Sequence, residues 1–337
     1  MHALLDDEQE ALREVAVHLA RALATDHPSD LQSELTAQGW QTLVQTGLVG
    51  LHAPEKLGGG GSSGVELAVV AEQLGRALAR EPYVGSAVLA AELARLCGAD
   101  DYLSRLCDGT VRATVALTPD LGAIATAGTP GAVAWDCAGC DQALLLDGRD
   151  LLAVDVRGEL VDSIDVTREV RRIDTAAATP VGGELTADAE IRWLAVALTG
   201  LTADLVGVMD GALARAVRYA CEREQFGVPI GSFQAIAHLC ADQAVSVSAA
   251  RATMNYAAWC IDQCPPAEAL RAARTAKAFA AEASRTVCEA GIQVHGGIGI
   301  TWECSAHLYL RRALMSRKVL GDERHHLRKL AGERGAA

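Results

Sequence analysis

The chain has 337 residues with a net charge of −13; half are apolar and 22% charged, which fits a globular protein with a sizeable core. Its acidic balance speaks against nucleic acid and anionic membrane surfaces as partners. The opening MHALLDDEQEALREVAVHLA is acidic and amphipathic, unlike a signal or transit peptide, and no apolar run approaches the ~18–20 residues of a membrane span; a cytoplasmic protein is expected.

Leu5, Leu12, Val15, Leu19 and Leu23 recur at helical spacing and predict a first helix. A second is expected over Asp30–Thr46. The turn-rich GLVGLHAPEKLGGGGSSG follows. Its four consecutive glycines lack the Gly-Lys-Ser/Thr of a phosphate loop and read as a connector. Helices are predicted again over Gly64–Arg80, Pro82–Cys97 and Asp100–Asp108. From Arg112 to Thr179 the texture changes. Short apolar runs such as RATVALT and QALLLDG alternate with Gly and Asp, which predicts at least four strands.

Beyond Gly183 the pattern is helical and long: Leu185–Glu222, Phe233–Gln263, Ala267–Val294, then a shorter pair from Glu303. Alanine and leucine, the strongest helix formers, dominate many windows, and helices of this length pack side by side in bundles. The expected fold class is mainly α with a small β middle domain. The expected division is an N-terminal helical domain at 1–110, a shortened β domain at 111–182 and a C-terminal four-helix bundle at 183–337.

Ten cysteines are scattered along the chain. Cys137 and Cys140 form a lone CxxC with no second pair or histidine pair to complete a zinc site, so it reads as incidental. His325 and His326 are adjacent on an expected helix and therefore point to different faces. No metal site is expected.

Two stretches in the helical half are unusual. REQFGVPIGSFQ, from Arg223 to Gln234, joins two long helices. Gly227 and Pro229 break the chain, and Ser232 is placed to cap the next helix. Arg223 brings a guanidinium suited to phosphate, Gln225 and Gln234 bring amides, and Phe226 a flat apolar face. The second stretch is GIQVHGGIGITWE, from Gly291 to Glu303. Three glycines in five residues, Gly296, Gly297 and Gly299, separate two helices. They serve either a tight turn or a backbone cradle for an anion.

In combination these motifs, RxQFGxPIxxFQ after the first long helix and QxxGGxGxTxE after the third, resemble the acyl-CoA dehydrogenase family. LDDEQEALRE resembles its opening helix and PEKLGGGG its loop after the second helix, so the resemblance covers nearly the whole chain. It implies FAD as cofactor, held across a subunit interface. By resemblance, Arg223, Gln225, Phe226 and Gln234 contact the pyrophosphate and adenosine of a neighbour's FAD, and Gln293, Gly296 and Gly297 line the same cofactor tail. It also implies an acyl-CoA substrate desaturated between Cα and Cβ, with an electron-transfer flavoprotein as acceptor.

The sequence departs from the family where the chemistry would be. In most members a Glu just before a Gly removes the α-proton. With Gly321 as that glycine, the base position falls on Leu320. The alternative position on the first long C-terminal helix falls on Ala197. Neither can take a proton. The Thr-Glu-Pro-like strand end that meets flavin and thioester survives only as a trace at Thr118 and Pro119. The losses fall on the flavin-ring half, while the motifs for a neighbour's cofactor tail are intact. This resembles the shortened subunit of actinobacterial heterotetrameric (α2β2) acyl-CoA dehydrogenases of steroid side-chain breakdown.

Three readings stand. One is a base-less subunit completing the FAD site of an acyl-CoA dehydrogenase-like partner. Another is a self-sufficient homo-oligomer using Asp322 as base; otherwise Asp322 and Glu323 are cap or first-turn residues of the last helix. The third is a non-catalytic assembly protein of the same fold. Arg311 and Arg312 are placed to reach a phosphate or to pair with Glu303, and Trp302 and Glu303 to pack against and cap the following helix.

Overall fold

The structure is a computed structural model that describes residues 5–33, 35 and 37–335, with side chains up to 332. Helix α1 (Asp7–Ala22) starts from a reciprocal cap in which Asp6 and Gln9 exchange side-chain to backbone hydrogen bonds, satisfying two free N–H groups. The single helix expected over Asp30–Thr46 is instead a 3₁₀ turn, Pro28–Gln32, followed by the shorter α2 (Ala37–Gln45). Ser33 is extended (φ −77°, ψ 136°), so no helix passes through it; positions 34 and 36 lie outside the described residues. α3 (Gly64–Arg76) begins with the Ser63–Glu66 capping box. A π-helical segment, Val84–Ala90, runs on into α4 (Ala91–Leu96), and α5 (Asp100–Cys107) closes the N-terminal helices.

Six strands follow: β1 (Ala113–Leu117), β2 (Val133–Trp135), β3 (Gln142–Asp147), β4 (Asp150–Asp155), β5 (Val170–Arg172) and β6 (Thr179–Glu184). They form one sheet in the order β5-β2-β1-β3-β4-β6. Only the β1–β3 pair is parallel; the other pairs are antiparallel. β1 is buried along its length, as a central strand covered on both faces should be.

The C-terminal helices are α6 (Ala187–Glu222), α7 (Gln234–Gln263), α8 (Pro266–His295), α9 (Ala306–Ser316) and α10 (Glu323–Gly335). α6 is the central element and packs on α3, α7, α8 and α9. By length and composition alone it would suit a membrane span, against the sequence expectation. Its most apolar 18-residue window is, however, 83% buried inside the fold, so it is a core helix.

A buried ionic cluster ties the sheet to the bundle. Arg168 donates to Asp204 and to Ser316 Oγ, both at 2.8 Å, and faces Asp136 at 3.3 Å. Arg312 donates to Thr167 Oγ1 (2.8 Å) and the Ala79 carbonyl (2.7 Å), with Asp165 at 3.8 Å. All of these charged side chains are under 5% exposed. Arg312 is therefore committed to the core and does not pair with Glu303.

Candidate functional site

α6 ends where Arg223 turns extended (φ −78°, ψ 120°). The chain then forms a hairpin in which β7 (Glu224–Gln225) pairs with β8 (Val228–Pro229). Its two-residue turn needs positive φ at both positions. Phe226 (φ 56°) and Gly227 (φ 79°) supply it. A bulky side chain rarely adopts this conformation. Here it leaves the Phe226 ring 94% exposed, edge-on to Phe233 at 6.2 Å. Arg223, Gln225 and Gln234 are exposed as well, and Arg223 forms no ion pair among the described residues. Ser232 does not cap α7. Its hydroxyl donates to the Pro229 carbonyl, and Phe233 occupies the cap position without a side-chain bond.

The glycine stretch follows α8. Gln293, Gly296 and Gly297 are exposed, and the three glycines are there for different reasons. Gly296 (φ 66°, ψ −145°) occupies a backbone region open essentially only to glycine. At Gly299 an added Cβ would meet the Ile292 carbonyl oxygen at 2.9 Å. At Gly297 nothing lies within 4 Å of the added atom. The protein's own packing and backbone thus explain the first and third glycines, while Gly297 faces open space.

The fold brings the two motifs together. Val294 of α8 packs in one small apolar cluster with Ala216 and Ala220 of α6, joined by Tyr219, Ile230 and Ile236. Tyr219 stacks on His295, centroids 4.6 Å apart and planes 25° apart. The His295 ring is fixed in turn by a 2.7 Å hydrogen bond between Nδ1 and the Gly291 carbonyl. Arg223, Gln225, Phe226, Gln234, Gln293, Gly296 and Gly297 therefore edge one exposed shelf where α6 and α8 end. A guanidinium, amides, an aromatic face and unobstructed glycine backbone are the donor set for a nucleotide pyrophosphate and its base. On this half the residues present fit the tail of FAD.

The two positions that the resemblance assigns to the base are buried. Leu320 is 4% exposed and sits at φ 56°. Its N–H donates to the Leu121 carbonyl at 2.8 Å, clipping the α9–α10 loop to the loop after β1. Lys277, fully buried in α8, holds that loop from inside: Nζ donates to the carbonyls of Arg317, Val319 and Gly321 at 3.0–3.2 Å. Burial pushes the Lys277 pKa down to about 7. Ala197 is buried in α6. One turn on, a Cβ at Gly200 would meet Val88 Cγ1 at 2.6 Å, so α6 lies directly on the π-helical segment. Thr118 turns inward on its own loop, donating to Asp120 at 2.6 Å.

Asp322 accepts from the His325 N–H at 3.0 Å and from Lys318 Nζ at 2.6 Å. These contacts make it the cap of α10, and the Lys318 hydrogen bond holds its carboxyl down at about 2. Glu323 pairs with Arg317. Trp302 packs edge-on to His307 of α9 at 4.9 Å. Glu303 is exposed and does not cap that helix, whose cap position is Ser305. Arg311 lies over the Trp302 ring and donates to the Ile164 carbonyl at 3.2 Å. Cys137 and Cys140 sit in a turn, their thiols pushed up by burial. No group of metal-ligating side chains is present among the described residues.

Sequence reasoning missed Lys277 and Arg168, and it named His326 and Arg312 without their buried partners. The signal for Lys277 was a lone lysine on the alanine face of RTAKAFAAEAS. His326 is fully buried with Nε2 3.1 Å from the Gly321 carbonyl.

Comparison with known proteins shows the family and the fold. Residues 6–110 match the family model for the acyl-CoA dehydrogenase N-terminal domain, and 192–333 match the C-terminal domain. The chain is 33% identical over 336 residues to acyl-CoA dehydrogenase IpdE2 of Mycolicibacterium smegmatis, covering 98% of this chain and 99% of that one. Its fold superposes on the ChsE4–ChsE5 complex from Mycobacterium tuberculosis with a TM-score of 0.83 at 26% identity, covering all of both chains. It matches the steroid acyl-CoA dehydrogenase Tcur3481–Tcur3483 (G363A variant) with a TM-score of 0.84 at 28% identity, covering 98% of this chain and 99% of that one. The chain belongs to the acyl-CoA dehydrogenase family of FAD-dependent oxidoreductases.

Proposed function

We propose that this chain is the tail-binding subunit of a heteromeric acyl-CoA dehydrogenase. It completes the FAD site of an acyl-CoA dehydrogenase-like partner and carries no catalytic base of its own. The observation behind this reading is the pairing of an exposed, unobstructed motif shelf with a buried Leu320 at the counted base position, its N–H bonded to the Leu121 carbonyl. Arg223 would hold the pyrophosphate, Gln225, Phe226 and Gln234 the adenosine, and Gln293 with the Gly296–Gly297 backbone the remainder of the tail. FAD, when bound, supplies the hydride acceptor. The partner supplies the flavin-ring pocket and the carboxylate that takes the α-proton. The substrate class we propose is a steroid side-chain CoA thioester, on the likeness to the steroid dehydrogenase complex. An α2β2 assembly in the cytoplasm, with an electron-transfer flavoprotein as acceptor, completes the reading. The proposed division of the chain is 1–110, 111–182 and 183–337.

A self-sufficient enzyme using Asp322 is less well supported. A general base should titrate near the working pH, and Asp322 is held at about 2 with both oxygens engaged.

The test is the visible spectrum and native mass of the purified chain, alone and co-expressed with an acyl-CoA dehydrogenase-like partner subunit from the same organism. A colourless chain that becomes a yellow heterotetramer with about one FAD per pair is the expected result. A yellow, active homo-oligomer with one FAD per chain would overturn the proposal.

A further inference from the structure

A second polar cavity lies away from the cofactor shelf. It is a half-open cleft of about 430 Å³ between the connector after α2, α4, the start of α6 and the α7–α8 turn. Its charged lining is His52, Glu92, Arg95, Arg192 and Asp262.

The interactions within it leave one cation over. Glu92 is 3% exposed and receives two bonds from Arg95, Nε at 2.8 Å and Nη2 at 2.6 Å. It lies 3.2 Å from His52 Nδ1. With Nδ1 turned to Glu92, His52 Nε2 has no hydrogen-bond partner among the described residues. Burial would by itself lower the His52 pKa, but the Glu92 carboxylate outweighs it and raises the ring above its ordinary value. Asp262 accepts the Gly64 N–H at 2.8 Å. Arg192 lines the cavity and has no ion pair among the described residues. With His52 protonated the lining holds His52, Arg95 and Arg192 against Glu92 and Asp262, an excess of one positive charge. The remaining wall includes Pro54, Val196 and Ile261, which are apolar.

We propose that this cavity binds a small monocarboxylate with a short hydrocarbon body, its carboxylate held between Arg192 and His52 and its body against Val196 and Ile261. One negative charge balances the lining. An inorganic phosphate dianion overshoots it, confronts Glu92 and Asp262, and leaves the apolar wall bare. Carboxylate recognition by a planar guanidinium follows the usual fork geometry. The pH response follows from His52. The other charges facing it are Glu92 and Arg95 from α4, Asp262 from α7 and Arg192 from α6. α8 adds only Pro266 and Ala269. Binding is therefore strongest when His52 is protonated and weakens as pH rises through its raised pKa.

The experiment is calorimetric titration of the full chain with butyrate and, separately, with inorganic phosphate, at constant ionic strength. Saturable butyrate binding at about pH 6, weaker by about tenfold at about pH 8.5, is expected. Arg192 is exposed, so Arg192→Ala should fold normally and lose butyrate binding. His52→Gln should remove the pH dependence. Absence of butyrate binding, phosphate binding in preference to butyrate, or unchanged butyrate binding in Arg192→Ala would each overturn the proposal. FAD content plays no part in the readout, so this inference stands or falls separately from the heteromer reading.

Discussion

The Leu320 N–H and the Leu121 carbonyl, 199 positions apart in the chain, meet at 2.8 Å. Both residues have positive φ, 56° and 63°. Two loops, each in a conformation uncommon for leucine, are thus held against one another at the position that the resemblance assigns to the base. This backbone bond fixes the two loops against each other and leaves the Leu320 N–H already engaged.

Restoring the carboxylate should therefore not restore the enzyme. Leu320→Glu places an acid in a buried, backbone-bonded position. We expect a loss of about 2–4 kcal/mol of stability and no acyl-CoA turnover by the chain alone. Chemical denaturation and a dye-reduction assay check both. Turnover in the variant would show that position 320 can reach a substrate.

The glycines offer a cleaner separation of fold from cofactor. Gly297→Val adds atoms where nothing lies within 4 Å of the first one. Thermal stability should be unchanged while the FAD content of the co-expressed complex falls sharply. Gly296→Val, at φ 66°, should instead cost about 1–3 kcal/mol through backbone strain. Equal Tm losses in the two variants would return the stretch to a plain turn.

Arg168→Ala removes the cation that Asp204 and Asp136 share. Breaking a buried pair strands its partner charges, at about 3–5 kcal/mol. Urea denaturation should show this loss. Arg223→Ala, on an exposed residue with no ion pair among the described residues, should stay within about 0.5 kcal/mol of the parent and lose FAD in the complex.

His326 gives a pH signature. It is buried, and burial first and the Lys277 charge second hold its pKa down at about 3. Its Nδ1 has no hydrogen-bond partner among the described residues. The folded pKa lies below the unfolded value of about 6.5, so the unfolded chain binds the extra proton as pH falls. The stabilisation is full above about pH 6.5 and declines below it, by about 1.4 kcal/mol per pH unit, until the folded value is reached. Stability of the parent measured from neutral to about pH 4.5 should fall more steeply than that of His326→Gln. Parallel curves would mean that His326 titrates normally.

The sequence by itself determined the long helices, the strand-rich middle, the two motifs at Arg223–Gln234 and Gly291–Glu303 and the apolar residues at positions 197 and 320. Each is carried by local information: apolar spacing, turn residues, or a residue type at a counted offset. Local reading overreached at Asp30–Thr46, where a proline-led 3₁₀ turn interrupts the helix, and at Ser232 and Glu303, where a plausible cap residue lost its position to a neighbour. Only the tertiary structure decided that α6, long and apolar enough for a membrane, is a core helix. It also decided that the two motifs meet through Tyr219 and His295, and that Lys277 grips a loop more than 40 residues downstream. Arg168 reaches Ser316 across 148 residues. Helical and strand periods say which face is apolar, but not which distant face it will meet. Partners of buried charges are chosen by packing, since only in the closed interior does an unpaired charge become too costly to leave.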